Sequence, residues 1–61
     1  MRKSYCLEIL TDGDVWFTKS CIYSKKDAKM YFDSEDINEL AEKSIVRVVD
    51  NSGKVVFEKA N

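Results

Sequence analysis

The chain has no histidine. That single absence removes the commonest general base and the commonest metal ligand together. Proline is also missing, so no Pro-rich linker divides the chain. Cysteine occurs only at Cys6 and Cys21, too few for a disulfide framework, and the pair reads as free thiols in a reducing compartment. After Met1, Arg2 and Lys3 no apolar run of signal length follows, and none approaches the ~18 residues of a membrane span. The expectation is therefore a cytoplasmic protein with no membrane partner. There is no P-loop, no dinucleotide fingerprint and no nucleophile elbow, and neither cysteine has a histidine to activate it. The reading is non-enzymatic, with no cofactor and no metal.

What is present specifies a small α+β domain. A chain of 61 residues holds one domain, 1–61, and buries only about 60% of its unfolded surface, which sets a usual stability ceiling of roughly 3–5 kcal/mol. Its 44% hydrophobic content is enough for a core, so disorder is not expected. Ten basic and eleven acidic residues leave a net charge of −1, too balanced to imply a polyanion partner.

The two glycines mark two turns. "LTDGD" joins "YCLEIL" to "VWFTKSCIY", and "DNSGK" joins "SIVRVV" to "VVFEK". Each Gly suits the left-handed last position of a type I turn with a G1 bulge; a two-residue Asp-Gly turn is the rival at the first. The bulged form is preferred because it pairs Leu7 with Phe17 and Ile9 with Val15. Side chains alternate across a strand, so this register predicts a helix-facing side carrying Tyr5, Leu7, Ile9, Val15, Phe17 and Cys21. The opposite face carries Cys6, Glu8, Leu10, Trp16, Thr18 and Ile22. The cysteines should then point apart and stay unpaired. The second hairpin has apolar residues on both faces, so the open face is not expected to be simply wet.

Between the hairpins, Ser24 and Asp27 form a capping-box pattern, and Ala28, Tyr31 and Phe32 follow helical spacing. Ile37, Leu40 and Ala41 repeat that spacing out of phase, rotated by about 140°. The spacing predicts a helix from 25 to about 33, a break at "DSED" where Ser34 caps a restart, and a second helical piece to about 43. The predicted fold is ββαββ, a four-stranded antiparallel-type sheet of two hairpins with one broken helix on one face.

Three surfaces are candidates for function. Trp16, with Leu10 and Ile22, forms a partner-binding or homodimer patch on the open face, unless the ring merely covers neighbouring aliphatics or a different register makes it core. Asp33, Glu35, Asp36, Glu39 and Glu42 are five acids within ten residues with no base among them. They read as a solvated face or, through Glu35, Asp36 and Glu39, as a contact for a basic partner surface; an EF-hand is excluded by the missing loop glycine. Lys25, Lys26 and Lys29 open the helix against its dipole, near Arg2, Lys3 and Lys19 if the fold brings them together; they read as ordinary solvated cations or, through that mismatch, as a weak pointer to an anion. Tyr5, Trp16 and Tyr23 resemble a base-stacking set, but no ribonucleoprotein motif accompanies them.

The ββαββ order, together with the closing "VRVVDNSGKVVFEKAN", resembles the small accessory proteins encoded by bacteriophages. The resemblance implies a role in blocking or redirecting a host protein, bacterial anti-phage defence included, by occupying its surface. It carries no motif and assigns no functional residue. The alternatives are a dimer that sequesters a small nucleotide signal through the lysines, and a nucleic-acid-binding protein.

Overall fold

The computed structural model describes residues 3–60. The elements are β1 (Tyr5–Thr11), β2 (Val15–Ile22), α1 (Lys25–Phe32), α2 (Glu35–Ala41), β3 (Val46–Asp50) and β4 (Val55–Lys59). All strand pairs are antiparallel, and the sheet order β2-β1-β3-β4 leaves β2 and β4 at the edges. The class is α+β, an open four-stranded sheet with two helices. The core lies between them: Leu7, Val46 and Val48 from the sheet meet Ala28 and Phe32 of α1 and Ile37 and Ala41 of α2. Among the described residues no helix is long and apolar enough to cross a membrane.

The helical region is two helices rather than one broken helix. Ser24 caps α1, its Oγ accepting from the Asp27 N–H at 3.3 Å. Ser34 stands at the N-cap of α2 but makes no side-chain cap. Its hydroxyl instead donates back to the Tyr31 carbonyl at 2.7 Å, closing the end of α1. Lys59 of β4 reaches the same junction, donating to the Phe32 carbonyl and, at 2.6 Å, to Asn38 Oδ1. A cation is well placed there, against the negative end of α1's dipole.

The first hairpin corrects the predicted register. Thr11 pairs with Val15, Leu10 with Trp16 and Ile9 with Phe17, two residues away from the expected pairing. The loop keeps the three residues of a bulged turn but lies one position further along the chain, at 12–14. The Asp14 N–H donates to the Thr11 carbonyl at 3.2 Å, Thr11 Oγ1 donates to the Val15 carbonyl at 2.6 Å, and Gly13 and Asp14 both take positive φ.

A bulge then changes the faces. Leu7 pairs with Ser20 but Glu8 with Thr18, leaving Lys19 as the extra residue. One extra residue inverts the side-chain alternation beyond it. Cys21 therefore moves to the open face, directly opposite Cys6, and the two form a disulfide with Cα atoms 3.9 Å apart. The expectation of unpaired thiols on opposite faces is overturned, and with it the argument from cysteine usage for a reducing compartment. Ile22 moves the other way and packs against the core, so it is no part of an open-face patch. Val15 and Phe17, expected under the helices, are 61% and 58% exposed, because the helices do not cover that corner of the sheet.

The second hairpin has the expected turn. The Gly53 N–H donates to the Asp50 carbonyl at 3.0 Å, and Gly53 sits at φ +87°. An added Cβ there would meet nothing within 4 Å, so the cost of replacement is backbone conformation alone. Gly53→Ala should lower the unfolding free energy by about 1–2 kcal/mol in urea titrations. A neutral result would mean the left-handed conformation is not kept. Asp50 organises the same turn, its Oδ1 accepting from the Ser52 hydroxyl at 2.6 Å and from the Ser52 and Lys54 N–H groups at 2.9 and 3.0 Å. These bonds, the Ser52 hydroxyl first, hold the Asp50 carboxyl below its ordinary range. A depressed folded-state pKa stabilises above the unfolded value, and that contribution is lost as pH falls through the folded one. A second bulge, between Val48 and Val49 opposite β4, lets Val56 and Phe57 both pack against the core. This accounts for apolar residues that seemed to belong to both faces.

Candidate functional site

The sheet face turned away from the helices is the candidate site. Pairing alone puts opposite charges together: Glu8 stands across from Arg47 on β3, and Arg47 across from Glu58 on β4. Arg47 Nε donates to Glu8 Oε1 at 2.8 Å, with side chains 25% and 18% exposed. The guanidinium then lies over the Trp16 ring, 3.6 Å from its centroid. A planar cation on an indole face gains roughly 0.5–2 kcal/mol, more as it is desolvated. The three side chains thus form one stack, Glu8 fixing Arg47 and Arg47 covering Trp16.

Around the stack the face is partly self-covered. Val49 is 9% exposed and stands next to Cys6, itself bridged to Cys21. Val55 pairs with Val49 and is 40% exposed. Leu10 pairs with Trp16 and is half-buried; it also lines a hollow of about 280 Å³ at that end of the sheet, with Thr11, Ala41 and Ile45. The patch is therefore a pre-ordered Trp–Arg–Glu stack bordered by aliphatics and a disulfide. Sequence reasoning placed Trp16 and Leu10 here but missed Arg47, whose one available signal was its charge within "SIVRVV".

The other candidates fall elsewhere. Glu35 and Asp36 lie in the first turn of α2, exposed with Glu39. Asp36 and Glu39 share a groove of about 700 Å³ with Leu40, Lys19 and Lys43, so charges of both signs line it. Asp33 is paired to Lys29 at 3.1 Å. Among the described residues no group of three or more acids and cysteines could hold a metal ion.

Two of the three candidate lysines gather at an aromatic pair. Phe32 and Phe57 stack with centroids 5.6 Å apart. Lys29 lies 5.5 and 5.2 Å from their two centroids, Lys25 lies 6.0 Å from that of Phe57, and Lys59 lies 4.2 Å from that of Phe32. Lys25 and Lys29 thus lie over aromatic faces, Lys29 also paired to Asp33, and all three lysines including Lys26 are exposed. Lys19 belongs to the α2 groove instead, and Arg2 lies outside the described residues. Compared with known proteins, the chain matches no family model, no curated protein and no solved structure.

Proposed function

We propose that this protein is a non-enzymatic binding module, of the kind phages use to inhibit a host protein by occluding its surface. The supporting observation is the Glu8–Arg47–Trp16 stack on a sheet face that no helix covers. Trp and Arg are the side chains that most often dominate binding energy at protein interfaces, and they do so when held rigid before the partner arrives. The partner this face fits is a protein surface offering an aliphatic side chain to Trp16 and Leu10, with a carboxylate in reach of Arg47.

Action in a host cytoplasm belongs to the same proposal and has a consequence. Cys21 is exposed, and a reducing cytosol opens accessible disulfides. The reduced chain would then depend on its partner for part of its stability.

The test is affinity capture from bacterial lysate, read by mass spectrometry, with the unmodified chain and Trp16→Ala side by side. The expected result is a host protein retained in stoichiometric amount by the first and lost by the second, with circular dichroism unchanged. Equal retention by both chains, or no protein retained by either, overturns the reading. Salt-dependent retention of oligonucleotides in its place would favour the nucleic-acid alternative.

A further inference from the structure

The two edges of the sheet are built differently. β4 is five residues long, follows Lys54, carries Glu58 and Lys59, and is bent by the bulge opposite Val48 and Val49. Short length, charge and bulges are the usual protections of an exposed edge. β2 has eight residues, and its own bulge and charge, at Lys19, lie beyond the uncharged stretch Val15–Thr18. Val15 and Phe17, at 61% and 58% exposure, are the most exposed large apolar side chains of the sheet.

The backbone of that stretch is also open. The Leu10 N–H donates to the Ile45 carbonyl at 2.9 Å, so the backbone groups of Leu10 face β3, and the Leu10–Trp16 pair is a non-hydrogen-bonded one. Antiparallel alternation then turns the N–H and C=O of Trp16 and Thr18 outward, away from β1.

We propose that β2 is a self-pairing edge, through which a second copy of this chain adds antiparallel to form a continuous eight-stranded sheet. A two-fold axis through Phe17 sets Trp16 of each copy opposite Thr18 of the other. Their four outward donors and acceptors then close four backbone hydrogen bonds. Phe17 meets Phe17 on the axis as a non-hydrogen-bonded pair, the closer of the two antiparallel pairings and one that suits an aromatic pair. Val15 of each copy faces the stem of Lys19 of the other, whose ammonium falls beside Asp14, so the ends of the contact are complementary in charge. Shifting the axis to Trp16 would ask Asp14, at φ +61°, to pair as a strand residue. The occupant is a second copy because the free stretch is its own complement in shape, hydrogen bonding and charge.

This pairing uses the edge and does not rest on the open-face reading, so the two fail separately. The test is sedimentation at a series of concentrations, with residue-resolved amide hydrogen exchange on the unmodified chain. The expected mass rises from one chain to two, and exchange slows on concentration at the Trp16 and Thr18 amides but not at Val15 and Phe17, which already bond to β1. Thr18→Pro removes only an outward donor, at a position where an edge strand tolerates proline, and Phe17→Lys places a charge on the axis. Both should hold the mass at one chain, whereas Trp16→Ala keeps its backbone groups and should still pair. A mass of one chain throughout overturns the proposal. So does a dimer in which Trp16 and Thr18 show no slowing, or one that survives both substitutions. If either variant fails to fold, the exchange pattern of the unmodified chain decides.

Discussion

Reducing the Cys6–Cys21 disulfide, or replacing both cysteines with serine, should lower the unfolding free energy by about 3 kcal/mol, the loop-closure value for a separation near 15 residues. For a domain of this size the whole margin is roughly 3–5 kcal/mol. The reduced chain should therefore sit close to its unfolding midpoint at room temperature, with a large loss of melting temperature. Urea titrations with and without a dithiol reductant measure the difference directly. The denaturant slope should rise on reduction, because the unfolded chain loses its crosslink and exposes more surface. Identical curves in the two conditions would mean that the cysteines are not paired in solution.

The second large effect is expected from Phe32→Ala. Phe32 is 5% exposed, packs in the core cluster and stacks on Phe57. Truncating a buried Phe costs about 3–5 kcal/mol in transfer and cavity terms. Here the change also removes the ring under Lys29 and Lys59. The variant should be unfolded or nearly so by circular dichroism and near-UV fluorescence. Phe17→Ala is the matched control: its ring is 58% exposed, and its loss should cost less than about 1 kcal/mol in the monomer. Comparable losses from both would place Phe17 in the core after all.

That pair of phenylalanines divides what the chain discloses from what it conceals. Local rules determined the elements. Gly53 with Asp50 specified the second turn, Ser24 with Asp27 specified the start of α1, and the phase change between Phe32 and Ile37 specified the interruption between helices. Alternation along β1 correctly assigned Leu7 to the core, since nothing interrupts that strand. It failed beyond Lys19, because a bulge is a two-strand event: the extra residue is defined only by what lies opposite, and Leu7 must be paired before Lys19 becomes surplus. That one residue brought Cys21 across from Cys6, moved Ile22 into the core and created the disulfide that border residues of the open face share.

The remaining decisions were likewise tertiary. Phe17 has the sequence environment of a core residue, yet it is 58% exposed and lies outside the cluster that α1 and α2 cover. Trp16 was legible as an open-face residue, yet its cover came from Arg47, thirty-one positions away in the chain and next to it in space only through the β1–β3 pairing. Charge alone marked Lys25 and Lys29 as a cluster on the first turns of α1, and only the fold supplied Phe57 and Asp33 as their neighbours. Propensity, capping and turn chemistry act over a few residues, so one chain displays them; pairing register, helix coverage and side-chain stacking depend on which segments meet, and folding decides that.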